Sequence, residues 1–387
     1  MKVTQLKDIV NTVTSEVLGK ENIVSEDLSN LVDVGNEIIN TDNVDNYVKK
    51  LIDRIGKVIF VNRLYAGGVP SVLMDSWEFG SIVEKISADM PEADENDSWK
   101  LENGQEYSQD TFYQPTVSAK FFNSKVTFDV KLSFTTQQVK ESFASVNELN
   151  AFLSMLETGV KNSMTVKLDS LIMRTINNMT AQTLQGGQAM QKVNLLTAYN
   201  SATGKKLTAD KALLDKDFLK FASLIIKKYQ ARITKMSKLF NQGKKARFTN
   251  INDLHTVLLS DFADSAEVYL MSDTYHNDTV SLPQHETVPY WQGSGETYSF
   301  SDVSSIKVKI NDGTKTAKDV TQAGIVGVMF DTNALGVSNL NQRTTTAYNA
   351  RAEFYTNFYK MDAGYFNDLN ENFVVFYISD NDFSIGG

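Results

Sequence analysis

Cysteine is absent from the 387 residues, which removes disulfides, thiolate nucleophiles and every Cys-based metal site. Histidine is almost as scarce. His255, His276 and His285 are the only three, and none forms a His-Glu-x-x-His or comparable ligand spacing. No stretch approaches eighteen uninterrupted apolar residues, and Met1 to Lys20 lack the apolar core of a secretion signal, so neither a membrane span nor a signal peptide is expected. A basic surplus is missing too. The formal net charge is −9, which disfavours a dedicated nucleic-acid binder. The Gly-x-Ser-x-Gly elbow and the Gly-x-x-x-x-Gly-Lys-Ser/Thr phosphate loop do not occur. Ala202-Thr203-Gly204-Lys205-Lys206 has the tail of such a loop without its first glycine or a preceding strand. No cofactor, metal or catalytic residue is therefore expected, and the chain does not read as an enzyme.

What is present is an ordinary globular composition, 42% hydrophobic and 22% charged, in a chain long enough for two or three domains with a sizeable core. Leu6, Ile9, Val10, Val13 and Val17 recur at helical spacing, as do Val44, Tyr47, Val48, Leu51, Ile52 and Ile55. These two patterns fit either a small helical subdomain or an arm packed on a neighbour. Ala66 to Pro70 are a breaker cluster. Ile82, Glu84 and Ile86 alternate weakly. Val117, Ala119 and Phe121, then Val126, Phe128, Val130, Leu132 and Phe134, give the strongest strand signal, with Asn123-Ser124 resetting the register as a bulge or bend. These strands bracket an acidic, turn-rich run from 88 to 111, and a two-stranded excursion of this length is marginal unless it lies on something.

Residues 145–182 read as one helix of roughly 50 Å. Ser145 and Glu148 have capping-box spacing, and a stripe runs from Leu149 to Met179. Residues 185–212 are small and polar and read as a connection or a partly ordered loop. A second amphipathic helix is expected over 215–240. Beyond it, His255 to Leu259, Ile306 to Ile310, Ile325 to Phe330 and Phe373 to Ile378 are short apolar or alternating runs suited to strands. Residues 279–297 read as loop, and no internal repeat is present.

Two charged clusters are candidates for contacts. Glu92, Asp94, Glu95, Asp97 and Glu102 belong to the acidic run. It lacks the spacing of a calcium loop and reads as a solvated loop or a contact tip. Lys244, Lys245 and Arg247 follow the second helix and either terminate it or meet phosphate or an acidic neighbour such as the 88–111 tip.

The order of these elements resembles the Hong Kong 97-type major capsid proteins of tailed bacteriophages. Locally, Met74-Asp75-Ser76-Trp77-Glu78-Phe79-Gly80-Ser81 and the segment Gly324 to Val337 are similar to segments of capsid proteins from phages of Gram-positive hosts. The resemblance implies an α+β chain with an N-terminal helical arm (1–65), a lead-in (66–81), an extended loop (82–135) and a peripheral domain with a spine helix (136–187). An α/β axial domain (188–337) and closing strands of the peripheral domain (338–387) complete it. It further implies a virion subunit assembled in the host cytoplasm into hexamers and pentamers. A separate scaffolding protein and a portal protein would be its partners, and the shell would enclose double-stranded DNA without reading its sequence. An encapsulin-like compartment is the alternative on the same fold, and a soluble hydrolase a more distant one. Lys100, Lys120 and Lys125 lie where some relatives cross-link, but nothing marks a reactive one.

Overall fold

The computed structural model describes residues 10–16, 25, 70–74, 83–88, 90, 91, 93, 95–107, 110, 112–135, 137, 138, 146–272, 282–289, 291, 304–310 and 318–383. The expected helix over 44–55, His276, Glu92, Asp94 and Ser145 of the capping box lie outside these residues. Residues 10–16 are helical, with Val10 and Val13 buried.

Strand β1 (Leu73–Met74) is followed by the ribbon strands β2 (Val83–Ala88) and β3 (Val117–Phe122), then β4 (Lys125–Thr135). Helix α1 (Val146–Gly186) is 41 residues long, about 60 Å at 1.5 Å per residue. Its stripe is buried from Val160 through Met164, Leu168, Ile172, Ile176 and Met179. Ser170, Thr175 and Thr180 are buried on the same helix and donate to the carbonyls of Val166, Leu171 and Ile176, so the hydroxyls enter the core satisfied. The helix stops at Gly187, whose N–H donates to Thr183 O at 2.8 Å and where a Cβ would sit 2.3 Å from that same oxygen.

The next segment corrects an expectation. Residues 185–212 are no loop: β5 (Lys192–Asn194), α2 (Leu195–Thr203) and α3 (Ala209–Ala212) occupy them. Asn194 Oδ1 caps α2 by accepting from the amides of Leu196 and Thr197. Tyr199 is buried edge-on to Phe218 at 5.5 Å. One aromatic anchor and one cap order a stretch whose composition is otherwise turn-like. Helix α4 (Lys216–Ile233) is capped by Asp215, which accepts from Phe218 N at 2.8 Å. It ends seven residues before the expected limit. Phe240, read as its last apolar position, is buried from the turn that follows.

Strand β6 (Leu254–Leu259) leads into α5 (Ser260–Ser272), and β7 (Glu286–Val288) lies within the stretch read as loop. The hairpin of β8 (Ile306–Ile310) and β9 (Lys318–Gln322) precedes β10 (Ile325–Asp331), β11 (Leu335–Asn349), β12 (Phe354–Asn367) and β13 (Phe373–Tyr377).

Two sheets organise the body. The four-stranded sheet runs β1-β11-β12-β4 and the five-stranded one β5-β13-β10-β6-β7. In the five-stranded sheet, β10 and β13 are buried along their whole length, as continuous apolar runs require. Val328, Phe330, Phe373 and Val375 face the cluster that includes α1. Met329, Val374 and Phe376 face the cluster of α2, α4 and α5. The sheet is thus a central layer between the spine helix and the smaller helices.

Strand pairing also changes the grouping of the strands. Asn123-Ser124 does not bulge one continuous strand: β3 pairs with β2 in a separate ribbon, whereas β4 pairs with β12 along eleven positions. Residues 338–387 divide in the same way. The long strands β11 and β12 join β4, while β13 crosses to the middle of the five-stranded sheet.

Candidate functional site

The ribbon of β2 and β3 is the least conventional part of the molecule. Alternation in an antiparallel pair puts one row of side chains on each face. The pairs Glu84↔Phe121, Ile86↔Ala119 and Ala88↔Val117 place Ile86, Val117 and Phe121 together, and this row is the exposed one, with Ile86 68% and Phe121 65% accessible. The opposite row, Val83, Lys85, Ser87, Ser118, Lys120 and Phe122, is the half-buried one. Beyond the Val83–Phe122 pair at the root, the usual arrangement, apolar inward and polar outward, is inverted. The segment beyond the ribbon continues the theme, with Trp99, Phe112 and Tyr113 almost fully exposed.

The root of the ribbon is held electrostatically. Lys85 and Lys120 face each other across the strands, an unfavourable pairing by itself. Both turn to the carboxylate of Asp368, whose side chain is 4% exposed, at 3.5 Å and 2.9 Å. Asn370 N donates to the same carboxylate. Lys85 also donates to Asn333 O and stands 4.8 Å above the ring of Phe366, which packs on Phe122. Burial pushes the Asp368 carboxyl upward, but the hydrogen bonds from Lys120 and Asn370 and the charges of both lysines outweigh it and hold it below its usual value.

A pH dependence follows from this clamp. The folded carboxyl titrates below the unfolded one, so its contribution is present above about pH 4 and is lost as pH falls through the folded value. Asp368→Asn is expected to lower stability by about 1–3 kcal/mol at pH 7. Urea unfolding is the check: the gap between variant and wild type is smaller at pH 3 than at pH 7. A gap of equal size at both pH values would refute the clamp. Glu371, three residues on, is pushed up by burial despite Arg247 at 3.5 Å.

The sequence-derived contact residues are now placed. Glu95 and Glu102 are exposed, and Asp97 opens a short 3-10 turn, Asp97–Trp99. Lys244 is exposed at a left-handed position, φ 51°. Lys245 exchanges hydrogen bonds with the Asn241 side chain. Arg247 turns inward to Glu371, and its backbone pairs with Ser237. The structure therefore separates Arg247 from the two lysines. Lys85 and Asp368 carry no sequence signal and Lys120 stands out only by lying in the cross-linking region: Asp368 is one more polar residue in an Asn/Asp-rich turn, and only the register brings the lysines to it.

One polar constellation invites comparison with a catalytic centre. Glu286 accepts from Ser71 N and Oγ at 2.6 and 2.8 Å and lies 3.1 Å from His255 Nδ1. Burial raises its carboxyl, but the hydrogen bonds from His255 and Ser71 more than offset this and hold it low. The connectivity is the reverse of a hydrolytic triad. The carboxylate is central, so the Ser71 hydroxyl meets a carboxylate and not an imidazole, whereas the triad places the imidazole between them. The group is a staple tying residues 70–74 to β6 and β7. His285 Nδ1 meets Pro283 O. Among the described residues no three His, Asp or Glu side chains converge to hold a metal, and no helix is long and apolar enough to cross a membrane.

Comparison with known proteins bears on the whole chain. The sequence profile of the Phi29-like phage major capsid protein matches residues 9–377. No curated protein sequence matches. Among solved structures, the chain is similar to one from the capsid of Staphylococcus phage Andhra, at 11% identity and TM-score 0.52, over 82% of this chain and 85% of that one. A chain from the capsid of the cyanophage P-SCSP1u aligns at 10% identity and TM-score 0.44, over 83% and 92%. The fold likeness rests on the first.

Proposed function

Because the chain belongs to the Phi29-like phage major capsid protein family, and is a shell subunit used in many copies, we propose that the β2–β3 ribbon and its acidic tip form the extended loop that lies on a neighbouring subunit. The observation that carries this is the inverted ribbon. Leaving Ile86, Val117 and Phe121 in water forfeits roughly 1.5–3 kcal/mol per fully buried side chain, and a contiguous apolar row of this kind marks an interaction surface.

On this reading, α1 with the four-stranded sheet is the peripheral domain of a Hong Kong 97-type subunit. The five-stranded sheet with α2, α4 and α5 is its axial domain. Residues 1–65 serve as the arm. Strand β13, within the 338–387 segment, belongs by pairing to the axial layer. Copies close into hexamers and pentamers, since a closed shell needs repeated, quasi-equivalent contacts. A separate scaffolding protein sets the curvature and a portal protein fills one vertex. The enclosed double-stranded DNA is held without sequence readout, consistent with the acidic charge of the chain. Assembly takes place in the host cytoplasm, and the role is structural, without catalysis.

Expression of the chain alone and together with a candidate scaffolding protein tests the proposal. Electron microscopy is expected to show uniform shells of hexamers and pentamers with the scaffold, and irregular or no particles without it. The absence of shells, rings and tubes in both preparations would sink it.

A further inference from the structure

Two segments of the chain carry strong local charge of opposite sign. Residues 89–111 hold eight acidic side chains and one lysine, and residues 216–251 hold ten basic side chains and one aspartate, in a chain of net charge −9. Helix α4 explains how the basic segment is displayed. Phe218, Ala222, Ile226, Tyr229 and Ile233 are buried, which leaves Leu224, Lys227, Lys228 and then Lys235 on the outward side. The turn after the helix adds exposed Met236, Lys238, Leu239, Lys244 and Phe248. This face is neither a plain solvated surface nor a plain apolar one. It alternates cations with apolar side chains, four of them 41–49% accessible.

We propose that this face receives the acidic arm tip of a second copy of the chain. The inference rests on the shell reading and names the surface on which the arm lands. The two segments match in both chemistries. Glu95, Glu102 and Glu106 oppose the lysines, and Trp99, Phe112 and Tyr113 supply rings against Leu224, Met236, Leu239 and Phe248. Ring faces also attract lysine ammonium groups. Among the described residues Lys227, Lys228 and Lys235 are exposed and make no ion pair with the equally exposed Glu95, Glu102 and Glu106 of the same chain, so these six side chains can meet another copy. Complementary potentials of this kind fix register and partner choice more than raw affinity. For subunits that must find one neighbour repeatedly, register is the property needed.

Packaged DNA is the other polymer a basic face could hold, but it would use the cations alone. It would give no reason for four apolar side chains among them, nor for the acidic aromatic tip. The competing outcome is nevertheless measurable.

The test is charge reversal in the full chain. One variant carries Glu95→Lys, Glu102→Lys and Glu106→Lys; a second carries Lys227→Glu, Lys228→Glu and Lys235→Glu; a third carries all six. Each triple variant alone is expected to lose about tenfold or more in particle yield by sedimentation and electron microscopy, because like charges replace complementary ones. The sixfold variant recovers to within about threefold of wild type. An equimolar mixture of the two triple variants co-assembles, which an intramolecular contact could not achieve. Exposed substitutions rarely unfold a protein. Should a reversal fail to fold, the same positions changed to Gln carry the test with a smaller loss, about threefold. The proposal is overturned if both triple variants assemble as wild type does, or if the sixfold variant is folded and still fails. It is also overturned if the lysine reversal leaves shells intact and reduces only their retained DNA. Failure of wild type itself to form any particle would instead remove the shell reading.

Discussion

Phe330→Ala is expected to destabilise the subunit by about 3–5 kcal/mol, the range for deleting a fully buried aromatic side chain. Phe330 is the penultimate residue of β10, with none of its surface accessible. It pairs in register with Phe373 of β13 on one side and His255 of β6 on the other. Its ring stacks on both, at 5.6 Å and 20° to Phe373 and at 5.3 Å and 22° to His255. Truncation therefore removes a ring from the centre of a three-strand stack that faces the spine helix. The remaining strands are fixed by backbone pairing on both edges and cannot close the cavity. At roughly 2–4 °C per kcal/mol for a large domain, the thermal midpoint should fall by about 10 °C. Phe330→Leu, which keeps most of the volume, should cost under about 1.5 kcal/mol. Calorimetry on both variants decides the matter. A midpoint within two degrees of wild type for the alanine variant would show that the stack does not support the core.

The second large effect is of the opposite kind. Replacing Ile86 and Phe121 by aspartate should leave the thermal midpoint nearly unchanged, because exposed positions usually shift stability by no more than about 0.5 kcal/mol. Assembly should nevertheless fall by more than tenfold, because each change removes an apolar anchor and would bury a charge in the proposed contact. The dissociation between folding and assembly is the informative part. Sedimentation of the double variant with scaffold should show folded, unassembled subunits. Normal shell yield would mean that the apolar row of the ribbon touches nothing, and a drop of many degrees would mean that it packs on its own subunit.

The legible parts of the fold were those in which a periodicity ran unbroken. The stripe of α1, the apolar runs of β10 and β13 and the alternation in β3 and β4 all formed the elements that their patterns require. Strand β11 was not legible over most of its length. After Val337 its residues are polar on both faces from Ser338 through Thr346 apart from Leu340, which lies at the register shift, and it is strand because β12 pairs with it through fourteen positions. No local preference encodes that. The division of β3 from β4 was hidden for a related reason: Asn123-Ser124 looks the same whether the chain kinks within one sheet or passes to another. At the contact surfaces, charge was visible but its use was not. Arg247 and Lys244 are close in sequence, yet one is tied to Glu371 and the other is exposed. The choice depends on a turn more than a hundred residues away. The Lys85–Asp368–Lys120 clamp is likewise a product of register.

The strand order of the central sheet also has a consequence in time. Strand β13 lies between β5 and β10, yet it is the last of the five to leave the ribosome. Domains generally fold as units as the chain is synthesised, but this one cannot. Until β13 is made, one edge of β10 and one edge of β5 stay open, and both hydrophobic clusters lack the strand that separates them. A prematurely terminated chain would lack an interior layer, not a peripheral strand, and would not present a finished subunit to the growing shell. The topology thus makes synthesis of β13 a condition for closing both hydrophobic clusters.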